Sequence, residues 1–297
     1  MKVAITGSHG LIGSALSTRL TGGGHTVVPV VRGAPAPGEI SWDPAAGRLD
    51  PADLEGVDAV VHLAGVGIAD KRWSALRKAR ILDSRTQGTE LIAGTIAKLE
   101  YRPSVLLSAS AIGYYGDRGP EELTEQSPPG TGFLAEVCIA WEAAAGALDG
   151  SDVRVVHLRT GIVMTPKGGA LGKQLPLFKL GVGGRLGSGK QYTSWISLDD
   201  ELGAIEYALV TPSLVGAVNL TAPAPVTNAE FTRVLGEVVH RPTLLPVPAF
   251  GLRLVMGSEL ADGMLLAGAR VLPRALEQAG YGFTHPELEG ALRDLLA

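Results

Sequence analysis

The chain has 297 residues, 45% hydrophobic, 19% charged and 5% aromatic, with a formal net charge of −4. That length buries one large or two unequal domains, while a net negative chain poor in aromatic rings argues against nucleic acid as a partner. The single cysteine, Cys138, excludes an internal disulfide framework, no apolar run reaches membrane-spanning length, and no secretory signal precedes the first strand, so a cytoplasmic protein with no membrane partner is expected.

Residues 1–13, MKVAITGSHGLIG, read as a buried strand, a glycine-punctuated turn and a helix start. Gly7, Gly10 and Gly13 would let the backbone turn tightly and approach a pyrophosphate, and the helix N-terminus would aim free N–H groups at it. A plain strand-turn-helix is the alternative. Gly22-Gly23-Gly24 stops the helix, and Thr26 to Val31 reads as a second strand, although Pro29 is awkward inside a central one. That strand ends at Arg32. In a dinucleotide fold this point lies beside the adenosine ribose, where an acid favours NAD and an arginine accommodates the 2′-phosphate of NADP. Arg32 therefore points to NADP(H); a solvated arginine ending a strand is the bland reading. Asp43 could reach the adenine amino group or simply form the turn before Pro44.

Residues 57–63 form another strand, running into Ala64-Gly65, small enough for close backbone approach. His62 reads as a packed histidine rather than a ligand. Residues 74–98 read as a long amphipathic helix, broken near Asp83-Ser84. Strand 104–108, helix 134–148 and strand 153–158 complete an alternating pattern. Continuous apolar strands separated by helices predict an α/β, Rossmann-type doubly wound parallel sheet, with ligands at the carboxyl ends of the strands.

From about residue 165 glycine and proline become dense, followed by a helix over 199–210 and a strand over 215–220. The expected division is a dinucleotide-binding domain over 1–165, its sheet completed by parts of 196–226, and a smaller substrate-side region over 166–297. Thr227 with Glu230 three residues on signals a helix start, and the tail 246–297 turns helical. Gly184 to Gln191 nearly spells a phosphate-binding P-loop, but Gln191 replaces the hydroxyl residue and a strand-like TSWIS follows, which argues against ATP. Asp199-Asp200 could be an acid/base pair; helix-start capping by Ser197 is the favoured reading. No His/Cys spacing predicts a metal, and no Ser/His/Asp set is recognisable.

TGSHGLIG, VVHLAG, SASAIGYYG and WISLDD together resemble the extended short-chain dehydrogenase/reductase superfamily. Segments 71–85, 159–164, 183–200 and 227–236 resemble one epimerase-like branch of it, and the tail resembles that branch's short C-terminal domain of unknown function. The resemblance implies that Gly7, Gly10, Leu11, Ile12 and Gly13 cradle a pyrophosphate. It implies that Arg32 meets a 2′-phosphate and that Leu63, Ala64 and Gly65 line the adenosine side. Arg85 is a second phosphate candidate, and Lys71, Arg72, Arg77, Lys78 and Arg80 are read as a solvated helix face.

The superfamily's chemistry rests on Tyr-x-x-x-Lys, yet alignment on Glu142 puts Leu134 and Cys138 at those positions. Ser108 and Ser110 end the strand where the superfamily places its substrate-orienting hydroxyl; Ser108 is assigned to the cofactor and Ser110 to catalysis. Tyr114 and Tyr115 are the other catalytic candidates, and Glu136 is read as a helix-surface residue. The glycine-rich segment 181–191 would be a mobile loop over the substrate, with Gln191, Tyr192 and Trp195 available for contacts. The expected function is an NADP(H)-binding epimerase-like oxidoreductase acting on an unknown small molecule. A catalytically silent NADPH-binding sensor or partner-binding protein is the alternative. An epimerase without net redox change is a third reading, and a homodimer through helices beside the sheet stays open.

Overall fold

A computed structural model describes residues 1–297. Its first part runs β1 (Lys2–Thr6), α1 (Leu11–Gly22), β2 (Thr26–Arg32), β3 (Ile40–Trp42), α2 (Pro51–Leu54), β4 (Ala59–His62), α3 (Ala75–Ile96) and β5 (Val105–Ala111). Next come β6 (Glu122–Leu123), α4 (Phe133–Ala143), β7 (Arg154–Thr160), β8 (Ile162–Met164) and α5 (Gly169–Lys179). They are followed by β9 (Tyr192–Thr193), β10 (Trp195–Ser197), α6 (Leu198–Val210) and β11 (Gly216–Leu220). The chain ends with β12 (Val226–Thr227), α7 (Asn228–Val238), α8 (Ala249–Met256), α9 (Ser258–Leu260), β13 (Arg270–Val271), α10 (Arg274–Ala279) and α11 (Leu288–Leu296).

Seven parallel strands form one sheet in the order β3-β2-β1-β4-β5-β7-β11. This is the doubly wound Rossmann-type arrangement, with a smaller C-terminal region. The strand order reverses between β1 and β4, which opens a crevice at their carboxyl ends. The strands are apolar throughout because both faces are covered. The row Ile5, Val61, Leu107, Val156 packs with Leu16, Leu20 and Ile205 of α1 and α6. The opposite row, Ala4, Val60, Leu106, packs with Ile92 and Ile96 of α3. Pro29 is accommodated because β3 begins to pair only at Val30, so the outer edge of β2 is open beside the proline.

Three expected bounds change. The helix α3 is unbroken at Asp83-Ser84: Ser84 Oγ donates to the Ile81 carbonyl of its own helix, so its hydroxyl does not compete with the helix. Strand β5 extends to Ala111, which places Ser110 inside the sheet. Helix α4 stops at Ala143 rather than 148.

Beyond β7, the apolar faces of α5, α7 and α11 meet through Leu171, Phe178, Phe231, Leu235 and Leu292. Trp195 is fully buried in this cluster, its indole N–H on the Ala224 carbonyl, so it is a core residue and no substrate contact. Gln191 donates to the Leu186 and Leu265 carbonyls and so ties its loop to the tail. Gly183 and Gly184 serve close packing rather than mobility: a Cβ on either would lie 2.6 Å from the Phe178 ring or 1.8 Å from the Leu245 carbonyl oxygen.

Both helix-start caps are in place. Ser197 accepts from Asp200 N–H and Thr227 from Glu230 N–H. Asp200 has a second task, because its buried carboxylate accepts from the backbone N–H of Thr284 (2.8 Å) and His285 (2.9 Å) and anchors the tail. No helix is long and apolar enough to cross a membrane.

Candidate cofactor site and the adjoining polar cluster

Two glycines are demanded by space at the end of β1. Gly7 has φ +69°, and a Cβ on it would sit 2.9 Å from the Leu63 carbonyl carbon. A Cβ on Gly13 would sit 2.2 Å from the Gly7 carbonyl oxygen. Gly10 N–H closes the turn onto the Gly7 carbonyl at 2.9 Å, and Ser14 N–H makes the first helical bond, to Gly10. The N–H groups of Leu11, Ile12 and Gly13 are therefore first-turn donors with no intrahelical acceptor, at the positive end of α1.

Buried Thr6 ties β1 to the end of β4: its hydroxyl oxygen accepts from Leu63 N–H (3.1 Å) and Ala64 N–H (3.2 Å). With its lone pairs occupied, the hydroxyl donates to His62 Nδ1 at 2.7 Å, which leaves the proton on Nε2. Burial pushes the His62 pKa down to about 4, so this is the packed, neutral histidine expected.

Around the crevice lies a cavity of about 1030 Å³. Gly7, Gly10, Leu63, Ala64 and Gly65 line it from the strand ends, Arg32 and Trp42 from the ends of β2 and β3, and Leu76, Arg80, Asp83 and Gln87 from α3. The last four recur every three or four residues, so one stripe of α3 faces the cavity. Of the expected cofactor residues, the structure thus brings Gly7, Gly10, Arg32, Leu63, Ala64 and Gly65 to one wall system. Gly13 lies beneath the turn, Ile12 packs into the core, and Leu11 stands against Gly168 and Gly169 at the start of α5. Asp43 lines the cavity, but its carboxylate accepts from Ala46 N–H (3.1 Å) and Arg48 (2.9 Å), which is the turn-forming role.

Two of the expected cofactor residues do not line the cavity. Arg85 stands beside its lining, its guanidinium carbon 3.5 Å from where a Cβ on Gly65 would lie. It is buried, donates to the Val66 and Ile81 carbonyls at 3.1 and 3.0 Å, and stacks 4.8 Å from the Trp141 ring. Ser108 is fully buried between His62 and His157 in the sheet register, with no partner for its hydroxyl.

A polar cluster closes the carboxyl end of β5. Ser110, Arg159 and Asn219 are neighbours in register across β5, β7 and β11. Above them Glu142 of α4 accepts from Ser110 Oγ at 2.7 Å and from two guanidinium nitrogens of Arg159, both at 2.8 Å. The pair is deeply buried, with side-chain exposures of 4% for Arg159 and 13% for Glu142. Tyr115 is also sealed inside: its hydroxyl accepts from Arg159 (3.0 Å) and donates to Asn219 (2.7 Å). Burial pushes its pKa up to about 12, against the pull of Arg159. Tyr115 is thus a scaffold residue, which removes it from the catalytic candidates. Tyr114 is half-buried, its ring 3.5 Å below the Arg159 guanidinium carbon. Leu134 and Cys138 face Gly113, and burial, followed by Glu142, pushes the Cys138 thiol up to about 11. A neutral thiol cannot supply the charge of the lysine it aligns with. Glu136 is exposed, as read from the sequence.

The sequence reading missed Glu142 and Arg159 as a pair. A partial signal was present: the apolar strand RVVHLRT carries two arginines, Arg154 and Arg159, and the apolar helix FLAEVCIAWEA two glutamates, Glu136 and Glu142. Buried charges come in pairs.

The sequence model of the NAD dependent epimerase/dehydratase family matches residues 3–219. The chain belongs to this family. A domain of unknown function (DUF1731) matches residues 247–295, as expected of the tail. The epimerase family protein MT2273 of Mycobacterium tuberculosis is 49% identical over 291 residues, covering 98% of this chain and 96% of the relative. The human epimerase family protein SDR39U1 is 37% identical over the full length of both chains. Its crystal structure with NADPH matches at a TM-score of 0.91 and 36% identity, covering 99% of each chain. A nucleoside-diphosphate sugar epimerase from Corynebacterium glutamicum matches at 0.80 and 37%, covering 99% of this chain and 58% of that one. Family membership accounts for the strand order and the glycine turn.

Proposed function

We propose that this protein is an NADP(H)-binding, epimerase-like oxidoreductase of the extended short-chain type, acting on a small-molecule substrate. The observation that carries this reading is Arg32 at the end of β2, on the wall of the cavity at the Gly7–Gly13 turn. The cradle fits a dinucleotide: Gly7 and Gly13, where a Cβ would clash with the backbone of Leu63 and of Gly7, keep the turn tight, and the first-turn N–H groups of α1 are free for a pyrophosphate. The similarity to SDR39U1, whose crystal structure is with NADPH, supports the choice of nucleotide.

When bound, the nicotinamide would supply hydride transfer. The chain's own residues hold and orient it. Leu11, Ile12 and Gly13 donate backbone N–H groups to the pyrophosphate, and Leu63, Ala64 and Gly65 form the adenosine wall. Arg32 meets the 2′-phosphate with a charge-assisted bond, worth roughly 1.5–3 kcal/mol, or about one to two decades in affinity. Ser110 and Tyr114, at and just beyond the carboxyl end of β5, are the hydroxyl groups assigned to proton transfer. Ser110 donates to Glu142, which orients it, and the Tyr114 ring stacks on the Arg159 guanidinium, which fixes its position.

The test is a fluorescence titration of ligand-free protein with NADPH and NADH. Micromolar NADPH binding with at least a tenfold preference, lost in Arg32→Ala, is the expected result. Binding of neither nucleotide defeats the reading. Leu134 and Cys138 favour a second reading, an NADPH-binding sensor without turnover. Transfer of label from 4-labelled NADPH to any of a panel of carbonyl compounds separates the two, since a sensor transfers none.

A further inference from the structure

Among the arginines on or just before α3, one is unlike the rest. Arg72 donates to the Leu254 and Val255 carbonyls at the end of α8. Arg77 pairs with Asp70, and Arg85 is buried on two carbonyls. Arg80 is exposed and has no ion pair or hydrogen bond, although Asp83 lies three residues on. It stands in the middle of the α3 stripe that walls the cavity, Leu76, Arg80, Asp83 and Gln87. Arg32, likewise exposed and without a protein partner, lines the same cavity from the end of β2. The solvated helix face expected of Arg80 is therefore a wall of the site.

We propose that Arg80 is a second specificity-determining residue, which closes on the 2′-phosphate from α3 while Arg32 holds it from β2. This inference rests on the proposed NADP(H) site. The physical ground is that a phosphate monoester carries close to two charges and three acceptor oxygens, more than one guanidinium fork satisfies. Two forks on different elements lining one cavity satisfy it without displacing an existing ion pair, because neither arginine has one to lose. Of the three acids on the wall, Glu39 is engaged with Ala36 N–H and Asp43 with Arg48, which leaves Asp83 beside Arg80.

The experiment is equilibrium titration of wild type, Arg80→Ala, Arg80→Lys and Arg32→Ala with NADPH and NADH. Arg80 has no partner to lose, and alanine suits a helix interior, so Arg80→Ala should fold. Arg80→Ala is expected to weaken NADPH by at least tenfold and NADH by less than twofold, with Arg80→Lys recovering part of the loss. Equal weakening of both nucleotides would assign Arg80 to the part they share and overturn the proposal. An unchanged NADPH to NADH ratio would also overturn it while leaving the NADP(H) reading intact. Failure of the wild type to bind NADPH would overturn both.

Discussion

Glu201 supplies a test of how this fold treats a buried acid. It sits in the first turn of α6, fully buried; one carboxyl oxygen accepts from Thr160 Oγ at 2.9 Å and the other has no partner. Burial pushes its pKa from 4.5 up to about 8, against the pull of the Thr160 bond. Between these two values the folded protein holds a proton that the unfolded chain has released, so stability falls as pH rises through the window. It is full below pH 4.5 and levels off above about 8. The cost is about 1 kcal/mol at pH 5, about 3 at pH 7 and about 4 at pH 8.

Glu201→Gln keeps the shape and the acceptor for Thr160 but cannot ionise. It puts an amide N–H group where the unpartnered carboxyl oxygen stands, a pH-independent cost of about 1 kcal/mol, which is smaller than the penalty at neutral pH. The variant should therefore outlast wild type at pH 7 by about 2–3 kcal/mol, with near equality at pH 5. Paired thermal melts at pH 5 and 8 read this as a difference in Tm that widens by roughly 5 °C. A gap that does not change with pH, or a variant less stable at pH 8, would refute the reasoning.

Two further outcomes are expected. Arg159→Met strands the Glu142 carboxylate beneath α4 and should cost about 3–5 kcal/mol in denaturant unfolding. Adding Glu142→Gln should recover a large part, and additive losses would show that the pair is not coupled. Asp200→Asn weakens the acceptor that holds Thr284 and His285 N–H and leaves at least one donor unmet, at about 1–3 kcal/mol. Limited proteolysis should then cut near residues 280–287 before the sheet opens, and unchanged protection would show that the tail is held by α11 packing alone.

The Rossmann-type sheet was legible because its signals are local. Apolar runs such as VDAVVHL must be covered on both faces, and the glycines before α1 mark a turn in the sequence itself. Gly7 and Gly13 announce close backbone approach through residue type alone, and Arg32 is placed by counting to the end of its strand. The same local logic yields the Ser197 and Thr227 caps. The site's chemistry was less legible. The Ser110–Glu142–Arg159 cluster joins two strands and a helix, and charges at such separations share no spacing rule.

Residue order alone thus sets the succession and type of the elements, the glycine turn and the arginine at the end of β2. These follow from backbone conformation and hydrophobic periodicity, which act over a few residues. The direction in which the basic residues around α3 face was set only by packing in three dimensions. Arg85 turns inward onto carbonyls and Trp141, Arg77 onto Asp70, and Arg80 onto the cavity. In the same way packing buried Tyr115 and Ser108 while leaving Tyr114 half-exposed. Neighbours in sequence part company there because a side chain's partner is chosen by how helices pack on the sheet, and that packing is settled by residues far along the chain.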